Sequence, residues 1–574
     1  MISGCVTASR TRQLIALMAV ASSAVLSSAQ AASPVNVTTW HNDNWRTGQN
    51  TSETILKLNN VGKATFGKIC SASVDGQVYS QPLEVSNVTI KGTIYPTVVY
   101  VVTENDSVYA FNGTNCQVLL GPVSMLQTGE AAADCHFIGG GGCKTIAPTV
   151  GILGTPVIDP STHTLYLSAE SQFPASSPTT WFHRIHALDI TTLAEKFNGP
   201  VAVAGTLSSG KAFNPQEEIQ RPGLLIPTSP ISSTSVLYIA YSMMDGAPDP
   251  HPPGWVFAYD AKNLADPNFP KFYATTPVVN PPAEGGGIWQ GGGALALGRD
   301  ENGLSYLYFS TGDGTFDLTS TPLTTQDAGD TFIKMTPDLN TIAGYFTPSD
   351  QYWRACNDID FGSGGVLLVP DNTLPNYPYI AIKGDKEGLI WAFDRGSPGG
   401  YNGGSCSQSC TARCMNANNN LQSVADLGAK VIHNNPAFWK GSSSSYLYYA
   451  VSSEPLAQYP LCNTAGPICT GINYLQSGNT FQNGSTPSVS SQGTTNGIVW
   501  SIDNFGNVSG GKPAVLWAYD AVTLNTLYNS TQCPTRDTPG DATKFSVPTI
   551  ANGFVYVGTQ TDFNIYGNTT AACQ

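Results

Sequence analysis

The chain has 574 residues and a net charge of −14, and charged residues make up only 11% of it. It contains 58 glycines and 39 prolines, and 10% of its residues are aromatic. Few charges combined with many turn formers and aromatic residues favour short strands and loops over helical bundles. The sequence is net negative and contains no cluster of lysines and arginines, so the composition argues against a nucleic-acid partner.

The first 31 residues predict an export signal. Arg10 and Arg12 precede an apolar run at 14–26, and A-Q-A at 29–31 matches a small-x-small cleavage site. This run is too short to span a membrane, and no later segment is long and apolar enough to do so. We therefore expect a secreted or periplasmic protein without a membrane span, with 1–31 as signal peptide and 32–574 as the folded part.

The cysteines support an oxidising compartment. Of the 13 cysteines, Cys5 lies in the predicted signal, which leaves an even number in the mature chain. Two pairs are close in sequence and lie in loop-like surroundings, so we predict local disulfides between Cys135 and Cys143 and between Cys462 and Cys469. We expect disulfide-bearing loop insertions at 395–430 and 456–495.

An internal repeat dominates the rest of the sequence. Aliphatic–aromatic–aliphatic strands such as L-Y-L at 165–167 are followed by a second apolar strand that ends in Ala, an apolar residue and Asp or Asn. This second pattern reads V-Y-A-F-N at 108–112, I-H-A-L-D at 185–189, V-F-A-Y-D at 256–260, I-W-A-F-D at 390–394 and L-W-A-Y-D at 516–520. Alternating strands separated by turn residues predict antiparallel sheets.

A short polar or glycine-rich segment precedes the first apolar strand of each repeat, and we call it the opening. We call its central residues the opening residues: Gln81, Thr155, Arg221, Gln290, Ser363, Asn435 and Val547. Successive openings lie 74, 66, 69, 73, 72 and 112 residues apart. These intervals predict an all-β protein, a single β-propeller of four-stranded antiparallel blades whose ring is closed by strands from both termini. Seven blades fit the openings best, and eight are the alternative if the 112-residue interval contains a degenerate blade.

The repeats resemble those of the pyrroloquinoline-quinone (PQQ) propeller proteins, and more specifically secreted bacterial PQQ-repeat-like proteins. The fullest copy is I-H-A-L-D-I-T-T at 185–192. Further counterparts are W-H-N-D at 40–43, Q-R-P-G-L at 220–224, G-G-G-I-W-Q at 285–290 and K-G-D at 383–385. The resemblance covers nearly all of the mature chain. It implies a propeller fold and, as possible cofactors, PQQ and Ca²⁺.

The repeat geometry gathers polar residues at one mouth of the central channel. The opening residues ring that mouth, and the ends of the second strands bring acids toward the same face: Glu104, Glu170, Asp245, Asp313, Asp385 and Glu454. We expect the main polar pocket to be built from Gln81, Arg221, Gln290, Asp313 and Asp385. Glu104, Glu170 and Asp313 are the candidate Ca²⁺ ligands, although each acid could equally be a turn residue.

Arg221 is the strongest single candidate for ligand binding, because a guanidinium can bind a carboxylate through two parallel hydrogen bonds. For a PQQ-like ligand, Gln81, Arg221, Trp289, Gln290 and Lys383 are the candidate contacts. The alternative pairs Arg221 with a neighbouring glutamate and makes Trp289 a packing residue.

Three residues are candidates for catalysis, namely Asp313, Asp385 and His41. His41 lies beside Asp43 and could act as a general base, or the W-H-N-D segment could instead fix the chain terminus onto the ring.

Three functions remain open. The chain lacks the adjacent cysteines and the C-x-x-C-H motif of quinohaemoprotein dehydrogenases, so we favour a propeller that binds a small polar or anionic ligand, or a protein partner, at the channel face. A PQQ- and Ca²⁺-dependent oxidoreductase of alcohols or sugars is the first alternative. An extracellular polysaccharide hydrolase or lyase that uses Asp313 and Asp385 is the second. Whether the protein is an enzyme is left open.

Overall fold

Strands account for most of the regular structure in the computed structural model. The structure describes residues 34–138, 143, 146–228, 235–244, 251–278, 284–425, 431–471, 474–507 and 511–573, together with residues 1 and 4. The predicted signal peptide and Asp245 therefore lie outside the described residues. Among the described residues, no helix combines the length and apolar character needed to cross a membrane.

The strands are short and follow one another with few helices between them. The first half contains β1 (Gln49–Asn50), β2 (Phe66–Ser73), β3 (Leu83–Ile90), β4 (Thr93–Val102), β5 (Ser107–Asn112), β6 (Val118–Ser124), β7 (Ala131–Ala132), β8 (Val157–Asp159), β9 (Thr164–Phe173), β10 (Thr180–Asp189), β11 (Val201–Ala202), β12 (Glu218–Ile219), β13 (Val236–Met243), β14 (Trp255–Asp260), β15 (Lys271–Ala274), β16 (Ala296–Arg299), β17 (Ser305–Ser310), β18 (Phe332–Met335) and β19 (Ile342–Thr347).

The second half continues with β20 (Leu367–Leu368), β21 (Ile380–Gly384), β22 (Leu389–Asp394), β23 (Gly400–Tyr401), β24 (Gln422–Ala425), β25 (Ala437–Lys440), β26 (Ser445–Ala450), β27 (Glu454–Thr464), β28 (Gly466–Ile468), β29 (Leu475–Phe481), β30 (Ser488–Gln492), β31 (Thr495–Asp503), β32 (Val515–Asp520), β33 (Thr526–Asn529), β34 (Thr549–Ala551), β35 (Phe554–Gly558) and β36 (Asp562–Asn568). The helices are α1 (Gln351–Cys356) and α2 (Pro534–Asp537), with short 3₁₀ turns at Gln290–Gly292, Phe505–Asn507 and Ser530–Gln532.

In the described chain these strands form eight small, mostly antiparallel sheets arranged as the blades of a propeller. In chain order, blade 1 is β3–β6, blade 2 is β8–β11 with β7, blade 3 is β12–β15, blade 4 is β16–β19 with β23, blade 5 is β20–β22 with β24, blade 6 is β25–β29, blade 7 is β30–β33 with β1, and blade 8 is β34–β36 with β2. The predicted all-β propeller is confirmed. It has eight blades rather than the seven that fit the openings best, and eight was the alternative suggested by the 112-residue interval.

Blade 8 closes the ring with strands from both ends of the chain. Strand β2 pairs antiparallel with β36, and Phe66 lies opposite Asn568. The predicted closure between the termini is therefore present, and it removes the open sheet edge that a linear array of blades would leave.

Blade 7 lies inside the 112-residue interval. Its inner strand β30 follows the segment S-T-P at 485–487, which is similar to the openings of the other blades. The Thr486 hydroxyl accepts a hydrogen bond from the backbone N–H of Asn435, which is the opening residue of the neighbouring blade (3.2 Å). The predicted insertion at 456–495 thus consists partly of blade strands, namely β27, β28, β29 and β30.

The tyrosine of the repeat joins neighbouring blades. In five blades its buried hydroxyl donates to a backbone carbonyl at the turn after the second repeat strand of the next blade. The pairs are Tyr100–Ile190 (2.7 Å), Tyr166–Ala261 (2.7 Å), Tyr238–Pro337 (2.8 Å), Tyr448–Ala521 (2.7 Å) and Tyr556–Gly113 (3.3 Å). The two sequence patterns therefore recur together because each supplies one side of the same contact between blades.

The described residues contain six disulfides. They join Cys70–Cys116, Cys135–Cys143, Cys356–Cys410, Cys406–Cys414, Cys462–Cys469 and Cys533–Cys573. Both local pairs that the sequence predicts are among them. Six disulfides fit a protein of an oxidising compartment.

An N-terminal segment at 37–50, which we call the plug, lies inside the ring and contacts an inner strand or segment of each of the eight blades. Val37 pairs with Glu84 of blade 1, and the Asn44 and Asn50 amides donate to carbonyls of Ile226 in blade 3 and Ile550 in blade 8 (both 3.1 Å). Plug carbonyls accept from the backbone N–H groups of Ile158, Leu297, Leu368, Phe438 and Val489, at 2.7–2.8 Å. The plug therefore connects all eight blades through hydrogen bonds of a single segment.

Candidate functional site

The openings of several blades meet at a pocket of about 270 Å³ at the channel mouth. It is lined by Arg221, Trp289, Gly291, Asp360, Ser363, Lys386, His433, Lys544 and Phe545. Arg221 and Ser363 are opening residues, and Trp289 directly precedes a third. The repeat geometry therefore predicts the place of the pocket, because the openings stand at equivalent ends of the inner strands.

Arg221 is buried, yet two of its nitrogens are left without a protein partner. Only 1% of the residue is exposed, and neither Nε nor Nη2 has a hydrogen-bond partner among the described residues. These two nitrogens share one edge of the guanidinium, and their parallel N–H bonds match the two oxygens of a carboxylate. Burial lowers the pKa of Arg221 to about 10, so the side chain remains a cation at neutral pH. The alternative pairing with a neighbouring glutamate is absent from the described contacts.

Two aromatic rings and a second cation accompany Arg221. The Cζ atom of Arg221 lies 4.3 Å from the ring centre of Phe545, and the Lys544 Nζ lies 4.8 Å from the same centre. Trp289 is half-buried in the pocket wall. The pocket thus combines flat apolar surfaces with fixed positive charge.

Asp360 lines the pocket and belongs to a group of three acids, in which Asp313 and Asp358 are not themselves lining residues. Oxygen atoms of Asp313, Asp358 and Asp360 lie within 4.8 Å of one another. Lys386 lies among them, with its Nζ 3.1 Å from Asp360 and in contact with Asp358. Burial and the neighbouring carboxylates raise the pKa of Asp313 well above its usual range. This shift favours the protonated form of Asp313.

The candidate Ca²⁺ set of Glu104, Glu170 and Asp313 is not brought together. Of these three, only Asp313 belongs to a group of converging acids in the described chain. Burial raises the pKa of Glu104 to about 8, and the Glu170 carboxylate is fully buried near His183, with 3.5 Å between Oε2 and Nε2. Equivalent positions in different blades lie around the ring, so they do not converge on one ion.

Lys383 and Asp385 are structural rather than pocket residues. The Lys383 Nζ donates to the carbonyls of Phe361 and Gly384, and burial lowers its pKa to about 7. Asp385 is completely buried and accepts from Arg354 Nη1 (3.0 Å) and Trp391 Nε1 (2.8 Å). Neither residue lines the pocket.

Gln81 and Gln290 support the mouth from below. The Gln81 Oε1 accepts from the His41 backbone N–H at 2.8 Å, and Gln290 bonds to the backbone of Gly293 and Ser310. Both side chains are buried, and neither lines the pocket.

His41 belongs to the plug. Its Nδ1 and Nε2 lie 3.0 Å and 2.9 Å from the carbonyl oxygens of Arg46 and Pro487, and no part of it is exposed. Asp43 caps the turn at Trp45 and Thr47 instead of contacting the imidazole. The structure therefore matches the interpretation in which W-H-N-D fixes the terminus to the ring, and a general base at His41 is incompatible with this burial.

Sequence reasoning missed Phe545, Lys544, His433, Asp360 and Lys386. Phe545 and Lys544 stand two and three residues before the opening residue Val547, and Lys386 directly follows K-G-D. Their proximity to predicted openings was the available signal.

Comparisons with known proteins identify the fold. No family model matches the chain, and no curated protein matches it in sequence. Similar solved structures include a europium-containing methanol dehydrogenase (TM-score 0.55, 12% identity, covering 93% of this chain and 98% of that chain). Quinohemoprotein alcohol dehydrogenases from Pseudomonas putida HK5 (TM-score 0.54, 13% identity, 94% and 81% covered) and Comamonas testosteroni (0.52, 13%, 95% and 82%) are also similar. The chain has the fold of a quinoprotein-type β-propeller.

Proposed function

We propose that the protein is an exported quinoprotein-type oxidoreductase whose channel mouth binds a planar polycarboxylate, PQQ, together with a metal cation. One observation carries the proposal: the buried Arg221, whose Nε and Nη2 have no hydrogen-bond partner among the described residues, lines a pocket together with the aromatic rings of Trp289 and Phe545. The neighbours named as alcohol and methanol dehydrogenases favour this function over a binding scaffold without chemistry.

The residues present fit such a cofactor. PQQ carries three carboxylates, and Arg221, Lys386 and Lys544 give the pocket the opposite charge. Trp289 and Phe545 offer surfaces for a flat ring. Asp358 and Asp360 supply the hard oxygen ligands that Ca²⁺ prefers, and Asp313 could join them once the ion displaces its proton.

Each part of the mouth has a distinct role in this proposal. Bound PQQ would accept the electrons removed from an alcohol or sugar. Arg221 would hold one carboxylate through two parallel bonds, and the acids would hold the cation near Lys386. The plug bonds to every blade, and in this proposal it would restrict access to the pocket from the other end of the channel. Such a protein would work in the periplasm or outside the cell, as its disulfides and predicted signal suggest.

Quinone uptake tests the proposal. Purified protein is titrated with PQQ in the presence of Ca²⁺ or Eu³⁺, and binding is followed by calorimetry and quinone absorbance, with dye-linked alcohol oxidation as the activity measurement. Arg221→Ala removes two charge-assisted hydrogen bonds, and we expect it to weaken PQQ binding about 100-fold. Arg299→Ala, at an exposed arginine of β16, is the matched control and should bind normally.

Two results would contradict the proposal in different ways. Uptake of PQQ without oxidation of any alcohol or sugar would leave a ligand-binding propeller, the function that the sequence favours. Absence of uptake with either metal would rule out the quinone altogether.

A further inference from the structure

Phe545 has an unusual backbone conformation for a bulky residue. Its φ angle is +66°, in the left-handed region that glycine and asparagine tolerate and large side chains rarely adopt. Strained residues of this kind persist where the surrounding structure holds them, and they are concentrated at functional sites. Phe545 lies in the segment between α2 and β34 and lines the pocket. The strain therefore occurs at the mouth itself.

The phenyl ring of Phe545 lies close to two cations. The Arg221 Cζ lies 4.3 Å from the ring centre and the Lys544 Nζ lies 4.8 Å from it. The face of an aromatic ring attracts cations. All N–H bonds of a guanidinium lie in its own plane, so a ring over its face leaves the edges available to other partners. In Arg221, the edge that carries Nε and Nη2 has no partner among the described residues.

We propose that Phe545 is a positioning residue that holds the Arg221 guanidinium in the pocket wall through a ring contact, which leaves Nε and Nη2 without a protein partner and able to bond a ligand. The inference rests on the proposed function and adds a ligand preference. With Arg221 fixed and Trp289 in the wall, a carboxylate attached to a flat aromatic ring can form both hydrogen bonds and contact an aromatic surface. A flexible aliphatic carboxylate gains only the hydrogen bonds, so planar acids bind preferentially.

Binding of three probes tests the role of Phe545. PQQ and trimesate are planar polycarboxylates, and citrate is a flexible one of similar charge; their dissociation constants are measured by calorimetry. Phe545→Leu removes the cation–π contact, and we expect about tenfold weaker trimesate binding. Phe545→Trp should restore most of the affinity. Phe173→Leu, at an exposed phenylalanine at the end of β9, is the matched control and should leave all three constants unchanged.

Phe545→Gly separates positioning from stability. Glycine adopts a φ of +66° without strain, so the melting temperature should fall by no more than about 2 °C. Trimesate binding should nevertheless weaken at least as much as in Phe545→Leu. A purely structural phenylalanine would give the reverse result, with lower stability and unchanged binding.

The outcomes separate this inference from the proposed function. If the wild-type protein binds neither PQQ nor trimesate, the proposed function fails. If the wild type binds both and Arg221→Ala does not, while Phe545→Leu and Phe545→Gly bind like wild type, the site stands and the role of Phe545 is rejected. Equal affinity of the wild type for citrate and trimesate would reject the planar preference.

Discussion

At the scale of single residues, His41 shows what burial does to a titratable group in the plug. Both ring nitrogens face backbone carbonyls, and Trp40 stacks on the imidazole with ring centres 4.3 Å apart. Burial is the main cause that lowers the pKa of His41 to about 4, and the nearby Arg46 cation acts in the same direction. The imidazole is therefore neutral in the folded protein at the pH values at which an exposed histidine becomes charged.

This lowered pKa predicts acid sensitivity. Between pH 6.5 and 4 the unfolded chain binds a proton at residue 41 that the folded chain does not, so stability present at neutral pH is lost as the pH falls. We expect protonation of His41 in the unfolded chain to lower the free energy of unfolding by about 2.5 kcal/mol when the pH falls from 7 to 4.5. Urea denaturation of the wild type and of His41→Gln at both pH values measures this, and His163→Gln, at a surface turn, is the control. Parallel pH profiles for wild type and His41→Gln would show that the histidine does not contribute.

At the scale of elements, an ion cluster holds the disulfide-linked loop at 402–418 against α1. Arg354 of α1 is fully buried and contacts Asp350, Asp385 and Glu387. Arg413 of the loop contacts Asp350 and Glu387 from the solvent side, where its side chain is 36% exposed. The Cys356–Cys410 disulfide joins the same two elements covalently. The loop is therefore tied to α1 both by ion pairs and by a disulfide.

The two arginines of this cluster should differ strongly in their contribution to stability. Arg354→Met leaves the buried Asp385 without its cation, and we expect a loss of about 3–5 kcal/mol. Arg413→Met removes a half-exposed partner of the same acids and should cost less than about 1 kcal/mol. Thermal unfolding of the two variants with disulfides intact makes the comparison. Equal losses would mean that burial does not govern this cluster.

The sequence allows prediction of those elements that every blade needs for the same physical reason. The tyrosine and the Ala-x-Asp turn recur because they bond to each other across blades, and the openings recur because each begins an inner strand. Blade 7 was concealed because its first repeat strand, β31, reads V-W-S at 499–501 and so lacks the aliphatic–aromatic–aliphatic pattern of strands such as L-Y-L. Phe545 belongs to no repeat, so its importance follows only from its contact with Arg221. The sequence places Lys383 and Asp385 in the pocket because strand alternation does not reveal their buried partners, which are backbone carbonyls for Lys383 and Arg354 for Asp385.

At the scale of the whole molecule, the plug connects every blade to one short segment. Arg46 is its most strongly bonded side chain: Nε and Nη2 donate to Leu295 O at 2.9 Å and 2.7 Å, and Nη1 donates to Thr39, Trp40 and Asp43. Burial lowers its pKa to about 9, which still leaves it charged at neutral pH. The plug should therefore unfold with the ring rather than separately from it.

Hydrogen exchange tests this coupling. The amides of Ile158, Leu297, Leu368, Phe438 and Val489 donate to the plug. We expect them to exchange at one common slow rate that reports global unfolding. Arg46→Met should accelerate all five together, whereas Arg299→Met should leave them unchanged. Independent acceleration of the amides nearest to Arg46 would mean that the plug opens locally.

The length of a segment that bonds to every blade must match the number of blades in the ring. The plug has at least one contact with each blade, and it reaches the eight blades in order within only fourteen residues, from Val37 to Asn50. A ring with one blade removed would leave a plug donor or acceptor without a counterpart, and a ring with one added would contain an inner strand that the plug cannot reach. Blade number and plug length are therefore linked, so that a change in the gene that duplicates or deletes a blade succeeds only with a matching change near the start of the folded chain.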